Sequence, residues 1–165
     1  MPYLIDTNVL ITAKNFHYGF DFCPAFWNWL VEQHALGSVL SVARVRDEIR
    51  QGNDDLSEWV ATLPDGFFLA PTEESRVHLE AVSQWISTPG RYPAAQVSVF
   101  ASAADFYLVA QARQSGFILV TYEAFQKQKG KIQIPEVCAG MGVECLPPYE
   151  MLRRERAKFV LGAGE

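Results

Sequence analysis

The chain has 165 residues, of which 49% are hydrophobic and 20% are charged, which fits one globular domain over residues 1–165 and excludes a disordered chain. The formal net charge of −5 at pH 7 argues at first against a nucleic-acid partner, because phosphate binding usually accompanies a basic excess. Four acidic residues that are candidate metal ligands account for most of this charge, and the rest of the chain carries −1, so net charge does not exclude RNA.

Cysteine usage and the first residues of the chain indicate the compartment. The cysteines, Cys23, Cys138 and Cys145, include no CxxC pair and none at ligand spacing from a histidine, so we expect reduced thiols. The first residues contain no basic segment followed by an apolar one, and no later stretch has the length of a membrane span. We therefore expect a cytoplasmic protein without a membrane partner.

Strand and helix patterns alternate through the first half of the chain. A strand is predicted from Tyr3 to Ile5, a short strand near Val39 and Leu40, and a short extended segment from Phe67 to Leu69. Three helical patterns accompany them: Pro24 to Ala35, Val42 to Gln51 and Asp54 to Leu63. No linker, repeat or low-complexity tract divides these elements, which indicates one continuous α/β unit.

The alternation continues after residue 70. Three helices are predicted: Glu73 to Ser87, one that begins near Pro93, and Ala103 to Ser115. Thr72 and Ser102 are the predicted N-caps of the first and third of these helices. Gly116 is predicted to end the third helix in the left-handed conformation.

The last third of the chain predicts the type of sheet. Phe117 to Val120 is a continuous apolar run, which is typical of a strand buried in a parallel sheet. The remaining predicted elements are a helix from Pro135 to Met141 that stops at Gly142, a strand from Val143 to Leu146 and a helix from Pro148 to Phe159. Strands that alternate with helices predict an α/β fold with a parallel sheet covered on both faces. Active sites of such folds form at the carboxyl ends of the strands.

Two acidic residues follow predicted strands. Asp6 comes directly after the first strand, where its carboxylate would project from the sheet edge into a cleft, although it could instead cap a helix that starts near Val9. Glu123 lies two residues after Thr121, so in an extended chain both side chains point the same way and Thr121 can orient a ligand or a water. The alternative for Glu123 is an exposed glutamate in an ordinary loop.

Glu48 is selected by the helical wheel of its segment. At about 100° per residue, Val42, Val45 and Ile49 define a core face, and Glu48 borders that face. Asp47 points the other way, to solvent, so Glu48 is the better candidate for a site. The alternative is a surface glutamate paired with Arg44 four residues earlier.

Asp105 is an acid on the apolar face of its predicted helix. Five small or apolar residues lie within about 60° of it on the wheel: Ala101, Leu108, Val109, Ala112 and Gly116. An unpaired buried carboxylate costs several kcal/mol, on the order of the Born penalty of a buried charge after relaxation, so a cation or the helix-terminal amides must compensate it. We favour the cation, because the predicted N-cap Ser102 already occupies some of those amides.

Grouping the four acids predicts a metal site. Cleavage of a phosphodiester bond needs cations that stabilise developing negative charge and lower the pKa of water. Magnesium and manganese prefer oxygen ligands, and magnesium is held by a few carboxylates, waters and substrate phosphate. The sequence therefore predicts that Asp6, Glu48, Asp105 and Glu123 act as catalytic residues and ligands of Mg²⁺ or Mn²⁺.

Four blocks, in this order and spacing, resemble the PIN-domain ribonuclease family, which includes the toxins of toxin–antitoxin pairs. They are the apolar strand that ends in Asp6-Thr7-Asn8, Glu48 within Val45 to Ile49, Ala104-Asp105 followed by an apolar stretch and Gly116, and Val120-Thr121-Tyr122-Glu123. Many members carry aspartate at the position of Glu123. The resemblance covers residues 4 to 123, and residues 67 to 100 contain no recognised motif.

The resemblance implies a fold and an activity. The implied fold is a single PIN-like domain with a Rossmann-like sheet, and the implied activity is a hydrolase, an endoribonuclease that depends on Mg²⁺ or Mn²⁺ and acts on RNA. Homodimers are frequent in the family, and its toxins bind a small antitoxin protein. Asn8 and Thr121 would support the ligands, while Arg44, Lys127, Lys129 and Lys131 are candidates for RNA contacts, the three lysines being equally compatible with a solvated loop.

Two other functions are weighed against this interpretation. A haloacid-dehalogenase-like phosphatase also begins with an aspartate after its first strand, but it needs a second acid two residues later, where this chain has Asn8. A catalytically silent PIN-like interaction module is the stronger competitor, because a fold can persist without its activity. The presence of all four acids favours catalysis.

Overall fold

The computed structural model describes residues 1–123 and 131–162, and in them five strands form one parallel sheet. The strands are β1 (Tyr3–Ile5), β2 (Val39–Val42), β3 (Phe68–Leu69), β4 (Ile118–Val120) and β5 (Cys145–Leu146). They lie in the order β3-β2-β1-β4-β5, and every pairing is parallel. The predicted α/β class with a Rossmann-like parallel sheet is therefore confirmed.

Helices flank this sheet. They are α1 (Thr7–Thr12), α2 (Pro24–Ala35), α3 (Ala43–Gln51), α4 (Asp55–Ala61), α5 (Ser75–Ile86), α6 (Ala94–Ser102), α7 (Ala104–Ser115), α8 (Ile134–Met141) and α9 (Pro148–Arg154). A π-helical turn, Ala13–His17, extends α1. None of the helices in the described part of the chain is both long and apolar enough to cross a membrane.

The direction in which the chain adds strands to the sheet reverses between β1 and β4, a point that we call the strand reversal, although all strands stay parallel. The chain adds β2 and β3 on one side of β1, then returns across the sheet and adds β4 and β5 on the other side. Because crossovers between parallel strands are right-handed, the connecting helices of the two halves lie on opposite faces. A crevice opens at such a reversal, outside the carboxyl ends of the two central strands, and ligands bind there in folds of this type.

The two central strands are apolar because the sheet is covered on both faces. All three residues of β1 and all three of β4 are buried, so neither strand shows the alternation of a half-exposed strand. Ile5 pairs with Val120, and the backbone N–H of Asp6 donates to the carbonyl of Val120 at 3.0 Å. The first residues beyond the two strands are therefore held side by side.

Several predicted helix ends differ from the structure. Ser102 is the last residue of α6 and its hydroxyl donates to the carbonyl of Val99, so it does not cap α7, which begins at Ala104. Thr72 does not cap α5 either, since its backbone N–H donates to the hydroxyl of Ser75. The predicted capping by local residues was wrong at both helices.

Glycines end two helices as predicted, and the terminal helix is shorter than predicted. Gly116 and Gly142 have φ values of 70° and 69°, the left-handed conformation that glycine adopts without steric cost. The last helix, α9, ends at Arg154 rather than at Phe159. Arg156 adopts a φ of 54°, outside the range of a right-handed helix, so the helix cannot continue through it to Phe159.

Candidate active site

Asp6 is buried at the carboxyl end of β1. It is 2% exposed and occupies the N-cap position of α1, but its side chain caps no amide of that helix. Its Oδ2 instead accepts a hydrogen bond of 2.8 Å from the hydroxyl of Thr121, which follows β4 and is itself 1% exposed. The helix-cap alternative for Asp6 therefore does not describe its side chain, which is oriented across the strand reversal.

Asn8 and Thr121 connect the ends of β1 and β4. The Asn8 side chain donates to the Thr121 hydroxyl at 3.4 Å and accepts from the backbone N–H of Tyr122 at 3.3 Å. The Thr121 hydroxyl also accepts from the backbone N–H of Glu123 at 3.1 Å. These bonds hold the chain from Thr121 to Glu123 against the start of α1, and the role of both residues in supporting metal ligands stays a prediction.

Glu48 joins three helices through its carboxylate. One oxygen, Oε2, accepts from the hydroxyl of Thr7 on α1 at 2.8 Å, and Oε1 accepts from the backbone N–H of Ala104 at 2.9 Å. Glu48 thus caps α7 from α3, the role that the sequence assigned to Ser102. Its alternative pairing with Arg44 is not formed, because that guanidinium donates to the hydroxyl of Tyr107 at 3.1 Å.

Asp105 lies in the first turn of α7, next to the amide that Glu48 caps. The apolar face predicted around it is present, since Leu108, Val109 and Ala112 are buried. Burial raises the pKa of the Asp105 carboxyl to about 7, and repulsion by Glu123 and Glu48 adds to the effect. The positive charge of Lys131 and a backbone amide act in the opposite direction without restoring the ordinary value.

Glu123 is tied to the start of α8. Its Oε2 accepts a hydrogen bond of 2.7 Å from the backbone N–H of Ile134, the first residue of that helix. The residue is half-buried, so the alternative of an exposed glutamate in an ordinary loop is wrong. Like Glu48, Glu123 accepts from the first amide of a helix to which it does not belong, so the sequence of that helix alone does not reveal the contact.

Electrostatic interactions link the four acids in pairs. Burial raises the pKa of Asp6 to about 8, with further contributions from the charges of Asp105 and Glu123. Glu123 and Glu48 act in the same way on Asp105. The hydrogen bond from Thr121 and the backbone amide of Thr7 lower the pKa of Asp6 only in part. We call these four residues the acidic cluster: Asp6, Glu48, Asp105 and Glu123.

The acidic cluster fits Mg²⁺ or Mn²⁺ in donor type alone, because its four side chains do not form a preassembled metal site. Within residues 1–123 and 131–162, no three or more His, Cys, Asp or Glu side chains form a group that could hold a metal ion together. Magnesium needs only one or two protein carboxylates, because waters and substrate phosphate complete its shell. The fit therefore rests on hard oxygen donors whose repulsion a divalent cation would relieve.

The candidate RNA-contact residues have separate locations. Lys131 is exposed and acts electrostatically on Asp105, so it lies at the border of the acidic cluster. Arg44 is exposed on α3, with its guanidinium 4.6 Å from the centre of the Tyr107 ring. Lys127 and Lys129 lie outside the described residues.

Two residues near the acidic cluster were not predicted from the sequence to take part in it. Thr7 donates to Glu48, and its place between Asp6 and Asn8 was the available signal. His17 was given no role, yet its Nδ1 lies 2.6 Å from the hydroxyl of Tyr122, the neighbour of Glu123. No local pattern marks His17, because the contact spans 105 residues.

Comparison with known proteins gives a family for the chain. No curated protein matches the sequence. One family model, described as a domain of unknown function (DUF4411), matches residues 3–159, a range that includes the whole acidic cluster and the described elements from β1 to α9. The chain therefore belongs to the DUF4411 family.

Proposed function

We propose that the protein is a metal-dependent endoribonuclease that hydrolyses RNA phosphodiester bonds at the acidic cluster. The observation that carries the proposal is the burial of Asp6 at the carboxyl end of β1, where its side chain accepts a hydrogen bond from Thr121 and where burial and the charges of Asp105 and Glu123 raise its pKa. An acid whose pKa is perturbed by burial and by neighbouring charges marks a functional site more often than an ordinary surface group does. The resemblance to PIN-domain ribonucleases supplies the reaction class.

The chain's own residues would orient the ligands. Thr121 fixes Asp6 by a hydrogen bond to one oxygen, and Thr7 with the amide of Ala104 fixes both oxygens of Glu48. Each of these oxygens can still accept on a second lone pair. Asp105 lies in the first turn of α7 and interacts electrostatically with both Asp6 and Glu48. Bound Mg²⁺ or Mn²⁺ would neutralise the phosphate and lower the pKa of water.

A second candidate, a catalytically silent PIN-like interaction module, is favoured by one observation. Glu48 and Glu123 each accept from the first amide of a helix, so both carboxylates stabilise the fold without any metal. In that case the four acids would serve the fold and not catalysis. Asp6 and Asp105 decide between the two functions, because neither caps the first amide of a helix in the way Glu48 and Glu123 do.

The decisive experiment is RNA cleavage by the purified chain with MgCl₂, MnCl₂ or EDTA. Asp6→Asn and Asp105→Asn each remove one ligand charge at nearly constant size, and we expect both to abolish cleavage while the variants stay folded. Asp47→Asn is the matched control, because it neutralises an exposed acid next to Glu48 on α3. Undiminished cleavage by folded Asp6→Asn and Asp105→Asn would assign the activity elsewhere.

Control by a protein partner extends the same proposal. An arginine or lysine of a small antitoxin would pair with Asp6 or Glu123 and compete with the metal, because charge-assisted hydrogen bonds to carboxylates are strong. Expression of the chain alone, and then with the product of the neighbouring open reading frame, tests this. We expect growth arrest that the copurifying neighbour relieves and that Asp6→Asn abolishes. Harmless expression without a copurifying partner would refute the toxin role.

Self-association, the other partner that the resemblance implies, has a simple measurement. Sedimentation of the purified chain at several concentrations distinguishes a homodimer from a monomer. A single species of monomer mass at all concentrations would refute the dimer.

A further inference from the structure

A cavity of about 510 Å³ adjoins the acidic cluster at the free edge of the sheet. It lies where β4 and β5 end and α8 begins, and its walls include Tyr122, Glu123, Pro135, Cys145, Pro147 and Tyr149. We call it the tyrosine cavity. Its volume is within the range of roughly 300–1,000 Å³ that is typical of small-molecule sites. Because Glu123 belongs to both the cavity wall and the acidic cluster, a ligand in the cavity would be adjacent to the cluster.

The two tyrosines of the cavity wall differ in how they are held. The hydroxyl of Tyr122 is 2.6 Å from Nδ1 of His17, whose ring meets the Tyr122 ring edge-on at 5.3 Å, so Tyr122 is fixed. Tyr149 is 53% exposed, and the guanidinium of Arg153 lies 5.5 Å from the centre of its ring. The cavity therefore offers one anchored and one accessible aromatic ring, with a positive charge at the accessible one.

The chemistry of the walls selects the occupant. Tyr122, Tyr149 and two prolines present flat apolar surfaces, whereas the carboxylate of Glu123 disfavours an anion inside the cavity. A planar, uncharged, aromatic group suits such walls. A nucleobase is such a group, and proteins bind unpaired bases by stacking them on aromatic side chains.

We propose that the tyrosine cavity binds one base of a single-stranded RNA, next to the phosphate that lies at the acidic cluster. This deepens the proposed ribonuclease function and rests on it for the identity of the ligand. The nucleotide's phosphate would stay outside the cavity, on the side of the acidic cluster, where Lys131 acts electrostatically on Asp105. The site would thereby act on an unpaired segment, because a base in a duplex cannot enter it.

The first test measures base binding without catalysis. Cys145 lines the cavity, Cys138 is buried, and Cys23→Ser removes the other half-buried thiol, so alkylation of this variant by N-ethylmaleimide reports access to the cavity. In EDTA, we expect AMP or UMP to slow the alkylation and ribose 5-phosphate not to slow it. Equal protection by ribose 5-phosphate, or protection by none of the three, would overturn the proposal.

The second test measures the contribution of stacking to cleavage. We expect Tyr149→Ala to raise the KM for single-stranded RNA by roughly 5- to 150-fold, the affinity equivalent of one lost base–aromatic stack, with kcat less affected. Tyr149→Phe should restore the KM. Phe22→Ala is the control, because Phe22 is also an exposed aromatic residue and lies outside the cavity wall.

The two tests separate this proposal from the ribonuclease proposal. Nucleotide protection of Cys145 in a protein that cleaves no RNA would support the base site and refute the ribonuclease. Metal-dependent cleavage that requires Asp6, combined with an unchanged KM in Tyr149→Ala and no protection of Cys145, would support the ribonuclease and refute the base site. Protection together with a raised KM supports both.

Discussion

Replacing Asp105 with asparagine should stabilise the metal-free protein at alkaline pH. The folded state raises the pKa of this carboxyl from 3.8 to about 7, mainly by burial and then by Glu123 and Glu48. A raised pKa means that the folded state favours the protonated acid, so there is no penalty below the unfolded pKa near 3.8. The penalty grows as the pH rises towards 7 and is complete above it. Asparagine resembles the neutral acid and avoids the penalty.

The expected size of the effect follows from these shifts. One pKa unit corresponds to about 1.4 kcal/mol, so ionising Asp105 costs up to about 4 kcal/mol above pH 7. Asp105 also lies at the start of α7, where losing a negative charge costs about 0.3–1 kcal/mol. With partial solvent screening, we expect a net gain of about 2 kcal/mol, or roughly 4–8 °C in Tm for a domain of this size.

Thermal melting in EDTA at pH 8.5 and pH 4.5 measures this prediction. The gain of Asp105→Asn over the wild type should be large at pH 8.5 and small at pH 4.5, while Asp47→Asn stays near the wild type at both. Adding MnCl₂ at pH 8.5 should raise the Tm of the wild type more than that of Asp105→Asn. If Asp105→Asn melts at or below the wild type at pH 8.5, amides at the start of α7 already compensate the charge, and the metal argument fails.

Three further predictions concern the groups around the cluster. Thr121→Val should cost about 1–3 kcal/mol in urea unfolding, because it leaves Asp6 without its hydrogen-bond donor, and should also slow cleavage; unchanged stability would show that Asp6 has another partner. Glu48→Gln should keep the bond from Ala104 and the Tm but lose cleavage, whereas Glu48→Ala should also lose about 1 kcal/mol of stability. Replacing Lys127, Lys129 and Lys131 together with alanine should flatten the salt dependence of RNA binding; an unchanged slope assigns them to the solvated surface.

Local sequence patterns were sufficient for most of the fold. Tyr3–Ile5 and Pro24–Ala35 coincide with their predicted limits, because burial on one face or both is visible in the spacing of apolar residues. Gly116 was recognisable as a helix end, since only the conformation of a single residue is involved. The positions of Asp6 and Glu123 after strands followed from the same patterns.

The capping of α7 and α8 was the least predictable feature, because the acceptors lie outside these helices. Glu48 caps α7 across 56 residues, and Glu123 accepts from the start of α8 across 11 residues. The contact between His17 and Tyr122 spans 105 residues. A helix terminus needs a hydrogen-bond partner, but the sequence of the terminus does not say which element supplies it.

The sequence by itself determined the order of strands and helices and the four acids that could share a site, because these depend on local burial and residue chemistry. Only the tertiary structure decided that β1 and β4 are neighbours at the strand reversal, which makes Asp6, Asp105 and Glu123 repel one another. It alone also opened the tyrosine cavity beside Glu123. The reason is physical: burial patterns repeat along the chain over a few residues, whereas electrostatic repulsion and cavity shape depend on distances between residues that only packing brings together.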